Sequence, residues 1–214
     1  MVIFPKINDK ISYLEFYSNW KSRFCFNINQ VLTWDSSFQR SNLSRWIKKD
    51  YIKKLRKEWY IFTDCLSIPG IQYLIANKIY APSYVSLQSA LCFYGIIPES
   101  VVEVTSVCSR DTKKFENALG LCSYSKIKPE LFFGYRLMEF DKIGIVKFAT
   151  PEKAILDFLY LNEFYNTEKD MRELRFDEVF MQDELDRDLL FSLLFRFNNK
   201  SLENRITTLL NCYS

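Results

Sequence analysis

The stretch between Phe26 and Phe62 constrains this chain most, because capping, amphipathic and turn signals follow one another there in a fixed order. Phe26-Asn27-Ile28-Asn29-Gln30-Val31 reads as a helix start. Asn27 stands as the N-cap, Gln30 closes a capping box, and Phe26 against Val31 makes a hydrophobic staple. A helix over about Ile28–Trp34 is predicted, then a break at Asp35-Ser36-Ser37 and a second helix over about Phe38–Lys49. On a wheel of ~100° per residue, Leu43, Trp46 and Ile47 cluster on one side, with Phe38 and Gln39 near them. Ser41, Arg45 and Lys48 lie opposite, flanked by Ser44 and Lys49. Tyr51–Phe62 reads as two short strands around a tight turn near Lys57-Glu58. Short helix, turn, basic amphipathic helix, basic hairpin is the order of a winged helix-turn-helix. Residues 1–65 are expected to form that domain.

Charge supports a polyanion as the partner of this region. Arg40, Arg45, Lys48, Lys49, Lys53, Lys54, Arg56 and Lys57 face Asp50 alone between positions 40 and 57. Residues 1–65 carry 12 Lys/Arg against 6 Asp/Glu, residues 66–150 carry 9 against 7, and residues 151–214 carry 8 against 13. A basic head on an acidic tail suggests a polyanion partner at one end and something else at the other. Ser41, Ser44 and Arg45 are expected to face the major groove, where Arg grips guanine in a bidentate way. Lys48, Lys49, Lys53, Lys54, Arg56 and Lys57 are expected mostly on phosphate, with Arg40 near the helix start able to do either.

Beyond residue 66 the pattern is mixed. Residues 67–97 read as helical, broken at Ala81-Pro82-Ser83, with the better-defined helix starting at Ser86 and stopping at Gly95. Strand signals follow at Val101–Val107, Leu121–Ile127, Leu131–Phe140 and Ile143–Phe148. Thr150-Pro151 starts a helix with Ala154, Ile155, Phe158, Leu159 and Leu161 on its buried face. Two further helices are expected over about Asp183–Arg196 and Ser201–Asn211. The fold class is therefore α+β: a winged helix-turn-helix, then a mixed domain over 66–214 with C-terminal helices.

The chain has no histidine, which removes Ser–His and Cys–His nucleophilic pairs and His-ligated zinc from consideration. Its six cysteines (Cys25, Cys65, Cys92, Cys108, Cys122, Cys212) include no C-x-x-C pair. Cys92, Cys108 and Cys122 sit in apolar or alternating stretches and are expected as small buried hydrophobes, not disulfides. Met1-Val2-Ile3-Phe4-Pro5-Lys6 lacks the apolar core of a signal peptide, and no apolar run reaches the roughly 18 residues of a membrane helix. A soluble cytoplasmic protein is expected.

Four stretches resemble the AbiEi family, antitoxins of type IV abortive-infection toxin–antitoxin systems. They are Asn42-Leu43-Ser44-Arg45-Trp46-Ile47-Lys48-Lys49-Asp50-Tyr51-Ile52-Lys53-Lys54-Leu55-Arg56 with Trp59-Tyr60-Ile61-Phe62; Tyr84-Val85-Ser86-Leu87-Gln88-Ser89-Ala90-Leu91 with Tyr94-Gly95-Ile96-Ile97-Pro98-Glu99; Ala149-Thr150-Pro151-Glu152-Lys153-Ala154-Ile155-Leu156-Asp157; and Glu173-Leu174-Arg175-Phe176. The chain departs from the pattern at Asp50 and Glu58, where such proteins often carry Gly. The resemblance implies a DNA-binding head and a C-terminal antitoxin domain. It further implies repression of the protein's own operon, and opposition to a nucleotidyltransferase-like toxin without a required stable complex.

Other residues invite competing readings. Glu152 and Asp157 are read as a first-turn acid favoured by the helix dipole and a partner for Lys153, in preference to catalytic carboxylates. Glu103, Glu130 and Glu139 lack the paired-carboxylate context of a metal-dependent nuclease. Ser83, Ser86 and Ser89 are read as caps or helix-surface residues, and Ser109–Lys114 as a solvated loop. The tail from Glu163 to Asp188, with 10 acids and 4 bases, is either an ordinary exposed face or a surface for a basic partner. The expectation is a DNA-binding autorepressor and antitoxin without catalysis, cofactor or metal. The alternatives are a protein-interaction module that does not bind DNA and, behind it, a metal-dependent nuclease.

Overall fold

The computed structural model describes residues 11–213, so Met1–Lys6 lies outside the described residues. The chain divides into two compact units. One ends at Ile71; the other runs from Gln72 onward, apart from Asn117–Leu119, which group with the first. The sequence placed the boundary at residue 65, and the units part at Ile71.

The first unit holds helix α1 (Tyr13–Trp20), strand β1 (Cys25–Asn27), helices α2 (Ile28–Trp34) and α3 (Ser41–Lys48), and strands β2 (Ile52–Arg56) and β3 (Trp59–Phe62). The strands form one antiparallel sheet in the order β1-β3-β2. The expected capping box is present: Asn27 accepts from the Asn29 backbone N–H at 2.9 Å, while Gln30 Oε1 accepts from Asn27 N at 3.2 Å. Phe26 and Val31, the expected staple, are both buried. An aromatic cluster makes the core. Phe16 lies 4.8 Å from Trp46, 5.0 Å from Phe26 and 5.6 Å from Phe38 between ring centroids. Such pairs add about 0.5–1.5 kcal/mol each beyond area burial.

Three features differ from the sequence reading. Helix α1 was not foreseen; Ser12 caps it by accepting from Glu15 N at 3.2 Å, and Phe16 and Trp20 bury one stripe. Helix α3 begins at Ser41 instead of Phe38, because Phe38 N donates to Asp35 O at 3.1 Å in a turn stiffened by Asp35 bonds to Ser37. The buried face of α3 is Asn42, Leu43 and Trp46, whereas Ile47 is 39% exposed. The helix is thus rotated from the expected orientation, so that Asn42, on the opposite flank from Ile47, completes the buried face.

The second unit is built on a six-stranded sheet in the order β6-β7-β5-β4-β9-β8. Its strands are β4 (Ser83–Val85), β5 (Val104–Cys108), β6 (Lys113–Asn117), β7 (Gly120–Lys126), β8 (Tyr135–Phe140) and β9 (Gly144–Ala149). β4 pairs antiparallel with β5 and parallel with β9, while β5 and β7 run parallel. Helices α4 (Ile71–Ile79), α5 (Leu87–Phe93), α6 (Pro151–Leu161), α7 (Glu168–Glu173), α8 (Arg187–Phe197) and α9 (Lys200–Cys212) complete it. α6 packs against α5, α8 and α9 and carries the central apolar residues Ala154, Ile155, Leu156, Phe158 and Leu159. Thr150 caps α6 as expected, accepting from Lys153 N at 3.2 Å with Pro151 in the first turn. At the end of α5, Gly95 N bonds Cys92 O and Ile96 N bonds Leu91 O, a Schellman closure with Gly95 at φ 71°.

Here too the structure corrects the sequence. The helical reading of residues 67–97 is interrupted by β4, which directly follows the cis Ala81–Pro82 peptide. The polar run expected as a loop at Ser109–Lys114 enters β6 at Lys113. The strand expected from Leu131 starts only at Tyr135, after a 3-10 turn at Pro129–Leu131. Among the expected buried thiols, Cys108 and Cys122 are buried and Cys92 is half-buried; no disulfide joins any of the six cysteines. Among the described residues no helix is long and apolar enough to cross a membrane.

Candidate nucleic-acid interface

The sequence-predicted site residues fall on one helix and one hairpin that are physically continuous. Helix α3 ends in a Schellman closure: Asp50 N donates to Ile47 O at 3.0 Å and Tyr51 N to Trp46 O at 2.9 Å. Asp50 holds the left-handed conformation at φ 58°, where Gly is the usual occupant, and this turn delivers the chain directly into β2. Glu58 at φ 66° makes the corresponding bend between β2 and β3, with Arg56 opposite Trp59. A register shift between Lys54 and Arg56 lets Ile52 and Leu55 both turn inward while Lys54 faces out.

Ser41, Ser44, Arg45, Lys48 and Lys49 are exposed on α3, and Arg40 is exposed at its N-cap. With Asn42, Leu43 and Trp46 inward, Ser44 and Lys48 take the centre of the outer face. Arg45 lies toward the flank shared with Asn42, and Ile47 toward the other. On the hairpin, Lys54 and Lys57 are exposed and Lys53 and Arg56 are half-buried. Lys53 ion-pairs with Asp50 and Lys49 Nζ sits 5.9 Å above the Tyr51 ring, so these two ammonium groups are partly committed within the protein. Arg45 and Lys48 also occupy the last turn of α3, where cations complement the helix dipole.

Two sets of residues that sequence reasoning missed hold this surface in place. Asn42 is 3% exposed, and its Oδ1 accepts from Arg45 Nη2 at 2.8 Å. Tyr13 of α1 stacks on Tyr51 at 4.3 Å and meets Trp46 edge-on at 5.5 Å, bracing the α3–β2 turn from behind. Burial and the Asp64 charge push the Tyr13 phenol up to about 12, and the hydrogen bond donated to Asp64 does the same for Tyr17. The Ser12–Glu15 spacing followed by Phe16 and Trp20 was the signal for α1.

No family model matches the chain, and no curated protein matches it.

The remaining candidates lie in the second unit. Lys153 Nζ and Asp157 Oδ1 stand 2.5 Å apart, and neither side chain is exposed. Asp157 Oδ2 accepts from Tyr84 Oη at 2.9 Å and Ser86 Oγ at 2.8 Å. Burial raises the Asp157 carboxyl above its ordinary value against the pull of Lys153, and burial lowers Lys153 against the pull of Asp157. The Lys153 ammonium lies 4.5 Å from the Phe197 ring and 4.8 Å from Phe133. This walled-in group ties β4 to α6 and offers no face to a substrate.

Ser83, Ser86 and Ser89 are buried instead of lying on a helix surface. Ser86 caps α5 but spends its hydroxyl on Asp157, and Ser89 Oγ donates to Glu103 O at 3.0 Å while accepting from Thr105 N at 2.8 Å. Glu103 pairs with Lys114 at 3.7 Å, Glu130 sits in the 3-10 turn, and Glu139 is on edge strand β8; among the described residues no three acids or thiols converge to hold a metal ion. Thr112, Lys113 and Lys114 line a cleft of about 650 Å³ with Ser123, Ser125 and Lys126, where Lys126 reaches Asp111 at 3.2 Å. In the acidic tail, Asp170 and Asp186 serve as capping residues of α7 and α8.

Proposed function

We propose that the chain is a DNA-binding transcriptional autorepressor and antitoxin of a type IV toxin–antitoxin system, acting in the cytoplasm. In this reading the first unit is a winged helix that docks on operator DNA upstream of its own operon. α3 is the recognition helix and β2–β3 the wing. The observation that carries it is the two-sided character of α3: Leu43 and Trp46 anchor it in the aromatic core while Ser41, Ser44, Arg45 and Lys48 stand outward. The Asp50 turn then continues the same positive charge into the hairpin. The antitoxin half, with a nucleotidyltransferase-like toxin as functional partner, is supported by the four motif stretches. The buried Lys153–Asp157–Ser86–Tyr84 group joins two of those stretches, which accounts for these residue types as architecture and not as catalysis.

Binding to the DNA upstream of its own gene tests the reading, comparing wild type with Arg45→Ala/Lys48→Ala across salt concentrations. Neutralising six to eight phosphates gives a logarithmic salt slope of roughly −5 to −7. A slope near zero in a folded wild type overturns it and leaves the protein-interaction module as the standing alternative.

A further inference from the structure

The buried polar residue on α3 bears on how the helix would read a base. An asparagine facing an aromatic core is costly unless its amide is bonded. Asn42 sits where an apolar residue would pack, beside Trp46 on the inward face of α3, at 3% exposure. Its Oδ1 receives the Arg45 guanidinium at 2.8 Å, one turn further along the helix. Arg45 itself is exposed, so the bond ties an outward-standing guanidinium to a buried anchor. An arginine carries five N–H donors in a rigid fork. Spending one on Asn42 fixes the plane of the fork without occupying the others, and a fork held in plane meets the two acceptors of guanine at lower entropic cost.

We propose that Asn42 is a positioning residue that pre-orients Arg45 for bidentate recognition of a base edge. The inference rests on the DNA-binding reading above. It separates two roles on one helix: Asn42 with Arg45 sets sequence preference, while Lys48 and the hairpin lysines set affinity for the backbone. It also explains the rotation of α3, since the same rotation that buries Asn42 turns Ile47 outward.

The test uses full-length protein and a duplex selected by the wild type from a randomised pool, measured against a scrambled duplex. Asn42→Leu is expected to lower the preference for the selected duplex about tenfold, within the discrimination of one bidentate contact. The salt slope stays unchanged, because phosphate contacts remain. Asn42→Asp, which keeps the acceptor, retains the preference. In the Arg45→Ala background Asn42→Leu has no further effect. Should Asn42→Leu prove unfolded by thermal melt, ¹⁵Nε relaxation of Arg45 in the free wild type decides: an ordered guanidinium supports the role and a freely rotating one overturns it. A wild type that binds with salt sensitivity, beside a folded Asn42→Leu of full preference, overturns the positioning role alone. A wild type with no salt-sensitive binding overturns the DNA-binding reading and this inference with it.

Discussion

Lys153 and Asp157, one turn apart on α6, face each other across 2.5 Å with neither side chain reaching solvent. A buried pair of this kind is weak evidence for net stabilisation, but breaking it is expensive, since one charge then remains without a partner. Lys153→Met is expected to destabilise the protein by about 3–5 kcal/mol. Lys153→Met/Asp157→Asn recovers more than half of that loss, because Asn keeps an acceptor for Tyr84 and Ser86. Urea unfolding midpoints of the single and double variants check this. A double variant as unstable as the sum of its singles contradicts it.

Gly134 lies against the stem of Lys153. A Cβ there would come within 2.9 Å of Lys153 Cδ, and the residue adopts φ +72°. Lys153 cannot yield, since Asp157 holds its far end and Phe133 and Phe197 flank it. Gly134→Ala therefore combines left-handed strain of about 1–2 kcal/mol with overpacking of about 1–3 kcal/mol. Gly144, at φ +84° with nothing within 4 Å of an added Cβ, carries the strain alone. Thermal melts of the two alanine variants should rank Gly134 as the costlier; the reverse order would refute the close approach.

Asp50 and Glu58 occupy left-handed positions that favour glycine. Asp50→Gly loses only an exposed ion pair with Lys53, which is worth little. Asp50→Gly should stabilise the first unit by about 0.5–1 kcal/mol, the relief of strain less the glycine entropy, and Glu58→Gly by less, because Glu58 also accepts from Asn29 Nδ2 at 3.3 Å. A fall in melting temperature for Asp50→Gly would mean that its carboxylate matters more than its backbone.

Tyr17 gives the clearest dependence on pH. Its hydrogen bond to Asp64 raises the phenol from 10.0 to about 12, so the folded state holds this proton more tightly than the unfolded chain. The stability it contributes is fully present below pH 10 and is lost as pH climbs through about 12. Phenolate absorbance should show Tyr17 titrating late, and Asp64→Asn should bring it back toward the ordinary range. An unchanged titration in Asp64→Asn would rule out that bond as the cause.

Local signals between neighbouring residues were legible in the sequence. The Asn27–Gln30 box, the Thr150-Pro151 start, the Gly95 stop and the turn at Lys57-Glu58 each depend on a few adjacent side chains, and each stands where it was read. The rotation of α3 was not legible, because a hydrophobic wheel ranks Ile47 above Asn42 and cannot weigh a bond to Arg45. The start of β6 at Lys113 and Lys114 reads as loop because an edge strand with exposed side chains needs no apolar alternation. β4 is three residues long beside Pro82, too short for any period to register. The basic residues of α3 and the hairpin are visible in the sequence as charge, while their exposure and the supports Asn42 and Tyr13 depend on tertiary contact, which leaves Lys53 and Arg56 half-buried.

The brevity of β4 has a dynamic consequence. This strand alone joins β6-β7-β5 to β9-β8, through three residues on one side and a single registered pair, Val85 opposite Phe148, on the other. The second unit is therefore two small sheets sewn along a narrow seam. Amide hydrogens on either side are expected to exchange as separate blocks, and native-state hydrogen exchange that protects both sides equally would contradict it. The buried bond network at Ser86 and Asp157 sits at the end of that seam and acts as its knot.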